Sequence, residues 1–200
     1  TLHTMQPPNN HLTTLASLIK ACGSTCDLEK GKRFHADAEK KGLTSVLFIS
    51  ISLIRMYSKC GCPIDAEFIF MGLSKRDVFS WNAMLALYTE QDQVEKVSHL
   101  YQNMRREHAT VDEVSFMCIL QACGKAGNFE TCHDIYFCIV SAGYDVVPSV
   151  MATLIHAYGG CGSSDDGNDA FDGLIEPDIV LWNACINSHA GEGNHVVCCK

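Results

Sequence analysis

The segment Asp77-Val-Phe-Ser-Trp-Asn-Ala-Met-Leu85 returns as Asp178-Ile-Val-Leu-Trp-Asn-Ala-Cys-Ile186, 101 residues further along. The same offset carries Lys20-Ala-Cys-Gly23 onto Gln121-Ala-Cys-Gly124. It also carries Leu53, Ile54 and Tyr57 onto Leu154, Ile155 and Tyr158, and Cys60-Gly61 onto Cys161-Gly162. Phe70 falls on Phe171, and Gly72-Leu73 on Gly173-Leu174. A chain that matches itself at one constant offset is an array of supersecondary units, each of which buries its apolar faces against its neighbours. Aligned apolar heads divide the long period. Units start at Leu12, Leu47, Val78, Glu113, Pro148 and Ile179, with lengths of 35, 31, 35, 35 and 31 residues and a partial last unit.

Each unit reads as helix, turn, helix. In 12–46, Leu15, Leu18, Ile19 and Cys22 follow the i, i+3, i+4, i+7 spacing of one helix face, which Gly23-Ser-Thr ends. A second helix is expected from Asp27, a good N-cap, to Lys41, with Gly42 beyond it. In 47–77 the stripe is Phe48, Ile51, Ile54 and Tyr57, stopped at Lys59-Cys-Gly61 and followed by a short helix from Asp65 to Gly72. In 78–112 it is Trp81, Met84, Leu85 and Tyr88, then Val94, Val97, Leu100, Tyr101 and Met104. In 113–147 it is Phe116, Ile119, Leu120 and Cys123, then a helix from Phe129 to Val140. Unit 148–178 has Val150, Leu154, Ile155 and Tyr158. Its polar, Gly-containing stretch Ser163–Asn168 predicts the least stable second helix. The partial unit 179–200 predicts a helix over Leu181–His189. Residues 1–11, with Pro7-Pro8, read as an irregular lead-in. No β-type alternation appears. The fold expected is all-α, a right-handed α-solenoid of stacked helix-turn-helix repeats whose first helices line the concave side.

Composition limits the function classes. At 47% apolar and 19% charged residues the chain can bury a continuous core. A net charge of −8 argues against a broad basic face for nucleic acid and leaves room for a local groove. Of the twelve cysteines, Cys22 and Cys123, and Cys60 and Cys161, recur in register, which points to packing thiols. No CxxC is present, and Cys60-Gly-Cys62 and Cys198-Cys199 have no matching partner pair, so no metal or other cofactor is called for. No apolar run approaches the ~20 residues that span a bilayer. The chain opens on Thr1 and stops inside a unit, so it reads as a piece of a longer protein. Enzyme motifs are absent too: no GxSxG, no Walker loop, and no His-x-Glu ahead of a Cys pair. Neither an enzyme nor a small-molecule substrate is expected.

The alternating lengths, together with Asp77-Val-Phe-Ser-Trp-Asn-Ala-Met-Leu85, Ile19-Lys-Ala-Cys22, Met56-Tyr-Ser-Lys-Cys-Gly61 and Gly31-Lys-Arg-Phe-His-Ala36, resemble pentatricopeptide repeats of the plant P-L-S subclass. On this resemblance 12–46 and 113–147 are L-type, 47–77 and 148–178 S-type, 78–112 P-type, and 179–200 a partial P-type repeat. Tetratricopeptide repeats, with a fixed 34-residue period, fit less well.

The resemblance implies single-stranded RNA as partner, about one base per repeat, read by two or three side chains. In the family the fifth and last residues of a repeat face the base, and second residues of successive repeats sandwich it. Carried over, unit 78–112 presents Asn82 and Asp112, with Phe79 and Val114 as apolar clamp, a combination resembling the family's uracil-preferring pair. An amide supplies donor and acceptor, and a carboxylate orients it. Asn183 begins a like site in the partial unit. Units 47–77 and 148–178 offer half a code each, Ile51 with Asp77 and Ala152 with Asp178. Units 12–46 and 113–147 offer Ala16 with Val46 and Met117 with Val147, which cannot hydrogen-bond a base through their side chains.

The function implied is sequence-selective RNA recognition in organellar RNA processing or C-to-U editing, in chloroplast or mitochondrion, with protein partners of the editing machinery and no membrane. The alternative is an α-helical protein-interaction scaffold, which the acidic balance and apolar code positions favour. Trp81 and Trp182 read as inter-repeat core, since they lie on the stripe with Leu85 and Ile186. Asp112 and Asp178 also suit capping of the helix that follows. Asn82→Thr is expected to move preference at one base from pyrimidine toward purine at nearly constant affinity, because phosphate contacts lie elsewhere. Selection from a randomised RNA pool checks it; identical base preference for both variants removes the assignment.

Overall fold

The structure, a computed structural model, describes residues 10–174 and 177–191. The described residues are all-α, with eleven helices and one 3-10 turn. They form two compact units that meet at Leu87 and Tyr88, and each is built from helical hairpins. The lead-in over residues 1–9, the end of the partial unit and Cys198-Cys199 lie outside the described residues.

The first unit holds α1 (Asn10–Thr25), α2 (Leu28–Lys40), a 3-10 turn (Leu43–Ser45), α3 (Leu47–Lys59), α4 (Pro63–Met71) and most of α5 (Val78–Glu90). The helices α1 and α3 lie side by side, and α4 folds back on α3. In the second unit are α6 (Val94–Arg106), α7 (Glu113–Ala126), α8 (Phe129–Ala142), α9 (Pro148–Gly160), α10 (Ser164–Asp172) and α11 (Ile179–Gly191). There α7, α9 and α11 pack in sequence, while α8 and α10 back them.

Every hairpin turns on a residue with left-handed backbone: Cys26, Gly61, Asp92, Gly127 and Gly162. The two unit lengths have a local cause. The second helices α2, α6 and α8 run 13 or 14 residues and are followed by left-handed Gly42, His108 and Gly143. Both α4 and α10 run only 9 residues and end at Gly72 and Gly173 in right-handed conformation.

Helix faces differ from the stripes expected in three places. Gly23 does not end α1, which continues to Thr25. A Cβ on Gly23 would meet the Met56 backbone at 3.1 Å, so the missing side chain serves contact with α3. The buried face of α1 is therefore Ala16, Ile19, Cys22 and Gly23, while Leu18 is exposed. Phe48 is also exposed, because Ile49, Leu53, Ile54 and Tyr57 carry the core of α3. Finally, Trp81 is buried but Trp182 is about half exposed. Both rings stand edge-on to a phenylalanine, Phe70 at 5.0 Å and Phe171 at 4.7 Å. Only Trp81 also has a guanidinium over it, from Arg76; the matching position, 177, is proline. Three helix starts also move: α1 begins at Asn10, inside the expected lead-in, α4 begins at Pro63, and α11 begins at Ile179.

Histidine–tyrosine hydrogen bonds tie second helices to the next first helix, His35 to Tyr57 at 2.9 Å and His133 to Tyr158 at 3.3 Å. Burial, with Asp65 nearby, pushes the Tyr57 hydroxyl up to about 12, so it stays protonated at working pH. The described cysteines are thiols, and Cys22, Cys118, Cys123 and Cys132 are buried in the core. Packing also holds α10, whose Gly167, Ala170 and Phe171 are buried despite the poor helix propensity of its sequence.

Where α7 crosses α9, a Cβ on Gly124 would stand 2.8 Å from the Ala157 Cα, and one on Gly160 would stand 2.6 Å from the Gly124 carbonyl oxygen. Backbone is the obstacle, so no side chain can swing aside. Gly124→Ala is expected to lower unfolding free energy by about 1–3 kcal/mol despite alanine's better helix propensity, as read by urea denaturation.

Candidate functional site

The residues expected from the sequence occupy distinct environments. Asp77, Asp112 and Asp178 each cap the helix that follows. Asp77 Oδ1 accepts the Ser80 N–H at 2.9 Å, and Ser80 Oγ accepts the Asp77 N–H at 3.0 Å. Asp112 forms the same reciprocal box with Ser115, whose N–H reaches Oδ1 at 3.0 Å. Asp178 Oδ1 accepts the N–H groups of Val180 and Leu181, both at 2.9 Å. These boxes satisfy backbone donors that have no intrahelical partner and place a negative charge at the positive end of the helix.

In the first unit, Asn82 lies on α5 and is only 6% exposed, whereas Phe79, three residues before it, is 58% exposed. In the second unit, Asp112 is half-buried, Val114 is exposed on the first turn of α7, and Asn183 is exposed on α11. The expected reader Asn82 is therefore a buried amide in the free chain, and the equivalent Asn183 is open.

Asp77 and Phe79 are brought together with residues that the repeat register alone does not associate with them. They line a groove of about 440 Å³ with Phe48, Ile51 and Arg55 of α3 and Lys20 of α1. Two exposed phenylalanine side chains lie here, and the Lys20 ammonium sits over the Phe48 ring, 5.1 Å from its centroid, a cation–π contact. A second groove of about 280 Å³ continues between α1 and α3, past Lys20, Gly23, Arg55 and Lys59. Exposed Lys20 and Arg55 thus line both the apolar, aromatic slot, which also holds the Asp77 carboxylate, and the second groove, where exposed Lys59 joins them.

The second unit repeats the inter-helix groove at the 101-residue offset. Gln121, Gly124, His156 and Gly160 stand where Lys20, Gly23, Arg55 and Lys59 stand in the first unit. Lys125 is the cation here, and it pairs with Asp92. The chain is acidic overall, yet this strip of its first unit is basic.

Sequence reasoning missed Lys20, Arg55 and Lys59. Arg55 and Lys59 are four apart on α3 and share a face with Ser52, a signal obscured by the stronger apolar stripe. Lys20 was visible only as part of the recurring Ala-Cys-Gly segment. Among the described residues, no group of His, Cys, Asp and Glu is placed to hold a metal ion, and no helix is long and apolar enough to cross a membrane.

Helical hairpins stacked through their first helices, with grooves between successive first helices, define the class: an all-α solenoid. Comparison supplies the likeness to known repeats. Residues 76–125 match the model of the PPR repeat family, and residues 51–78 and 114–144 match the PPR repeat itself. Three stretches between residues 51 and 144 thus match pentatricopeptide repeat models. It is 32% identical over 186 residues to the chloroplastic pentatricopeptide repeat-containing protein CRR2 of Arabidopsis thaliana, covering 90% of this chain and 28% of that protein. A mitochondrial pentatricopeptide repeat-containing protein of the same plant is 29% identical over 91% of this chain and 18% of its own length. The crystal structure of pentatricopeptide repeat protein PPR10 from maize superposes with a TM-score of 0.72 at 16% identity, over 92% of this chain and 28% of that one. PPR10 in complex with an 18-nt psaJ RNA element gives 0.69 at 20% identity, over 98% and 29%. This chain thus spans less than a third of the length of each of these relatives.

The caps give a separable stability test. Asp77→Ala is expected to lower unfolding free energy by about 1 kcal/mol, and Asp77→Asn by well under half of that, because asparagine caps almost as well. Urea denaturation of the two variants reads the difference. Equal losses remove the capping role.

Proposed function

We propose that this chain binds single-stranded RNA through the strip between its first helices, as a recognition module in organellar RNA processing or C-to-U editing. The carrying observation is the Phe48–Phe79 groove with Lys20 and Arg55 at its edge. Exposed phenylalanine faces suit stacked bases, at about 1–3 kcal/mol per base. Lys20, Arg55 and Lys59 suit the phosphates between them. A base in this slot meets Asp77, an acceptor able to take a base N–H, while Ile51 supplies only apolar contact. The slot falls on unit 47–77, so the aromatic clamp here is more complete than the hydrogen-bonding code. Unit 78–112, with Asn82 and Asp112, is the proposed uracil-preferring reader, with Phe79 and Val114 as its clamp by family resemblance. Its amide is buried in the free chain, so reading requires RNA to open that position.

The alternating 35- and 31-residue units support P-L-S assignment, with α4 and α10 as the short helices of S-type repeats. Relatives named chloroplastic and mitochondrial support an organellar location, and the maize PPR10–RNA complex supports RNA as the ligand class.

Salt dependence tests the reading. Fluorescence anisotropy with a short randomised single-stranded RNA is expected to show affinity falling steeply as salt rises, with no comparable binding to duplex DNA. Replacing Lys20, Arg55 and Lys59 together by Gln should flatten the log–log slope by about 2, since each single-strand phosphate left unneutralised takes away roughly 0.7. Phe79→Ala should weaken binding by about 1–3 kcal/mol and leave the slope unchanged. A salt-insensitive interaction, or an unchanged slope in the triple variant, overturns the proposal.

A further inference from the structure

The short helices α4 and α10 occupy the same place in their repeats, yet they present opposite chemistry outward. Each folds back on the preceding first helix, α4 on α3 and α10 on α9. Their buried faces correspond: Ala66, Ile69 and Phe70 in α4, and Gly167, Ala170 and Phe171 in α10. Their outward faces do not. On α4, Ile64, Phe68 and Met71 are 78%, 76% and 68% exposed. At the 101-residue offset stand Asp165, Asp169 and Asp172, all exposed.

The repeat therefore accepts three carboxylates where α4 carries three large apolar side chains. Packing does not ask for them. Their i, i+4, i+7 spacing sets them in one row along the helix, and a contiguous exposed apolar row marks an interaction surface. The row has an acidic border. Asp65 and Glu67 lie on α4, which carries no Lys or Arg, on a chain of net charge −8.

We infer that the outer face of α4 docks an amphipathic helix of another protein, one with an apolar ridge bordered by Lys or Arg. Ridges-into-grooves packing of two helices uses this i, i+4 row. Cations on the partner match Asp65 and the net charge of −8 and raise the rate of encounter. A second copy of this chain fits poorly, because it would bring like charges together. Three side chains also fall well short of the ~800 Å² per partner that a stable interface buries, so the contact is weak and transient. None of Ile64, Phe68 or Met71 lines the Phe48–Phe79 groove, so the docked helix and RNA use different surfaces.

The test uses a fluorescein-labelled amphipathic helical peptide of Leu and Lys, and a Leu and Glu peptide of the same pattern. The chain is expected to bind the first and to bind the second much more weakly. Phe68→Asp and Met71→Asp, which copy the residues present in α10, should each weaken the Leu/Lys peptide roughly tenfold or more. They should do so although they add negative charge, with melting temperature and RNA affinity unchanged. Equal or tighter peptide binding by these variants would mean that charge alone drives the contact, and overturns the inference. So does equal binding of the Leu/Glu peptide. A wild-type dimer in sedimentation that Phe68→Asp abolishes assigns the face to a second copy instead. Loss of RNA binding in both folded variants assigns it to the RNA surface.

Discussion

Everything in this chain depends on how closely one first helix can approach the next. That distance is set by small residues. Gly23 meets the Met56 backbone in the first unit, and Gly124 meets Ala157 and Gly160 in the second. Backbone against backbone brings the two helix surfaces near enough to share a narrow groove. A larger residue at either crossing would part the helices and widen the grooves. The glycines thus set the width of the grooves that they line.

The second helices carry a different burden. Long ones, α2, α6 and α8, end on a left-handed residue before the chain returns, and short ones, α4 and α10, end without it. Histidine–tyrosine hydrogen bonds and edge-on Phe–Trp pairs join them to the first helix that follows. These contacts look inward and tolerate little change. The outward faces are under no such constraint, as the contrast between Ile64, Phe68, Met71 and Asp165, Asp169, Asp172 makes plain.

Much of the fold was legible because hydrophobic periodicity and turn residues agree. Helices begin at Leu47, Val78, Glu113, Pro148 and Ile179, where the apolar head of each unit falls. What went astray followed from rules applied without a neighbour in view. Gly23 looked like a helix stop because glycine has poor propensity, but here packing outweighs propensity. Leu18 and Phe48 looked like core because apolar spacing alone cannot separate a face that meets a helix from one that stays exposed. Trp182 looked equivalent to Trp81 because Trp-Asn-Ala recurs, but the guanidinium covering Trp81 comes from Arg76, outside the recurring segment. The candidate groove was legible in part. Asp77 and Phe79 could be picked out, whereas Lys20, Arg55 and Lys59 come from two helices. Only the stacking of α1 on α3 makes them neighbours.

The capping boxes at Asp77 and Asp112 bear on selectivity. A carboxylate on a mobile side chain must lose rotamer freedom before it can favour one ligand over another. Here that freedom is gone once the helix start forms, since Oδ1 is already anchored to the backbone. A ligand meeting either residue finds a preorganised acceptor whose direction the helix has set. The direction of both carboxylates is then a property of folding, settled before any ligand arrives.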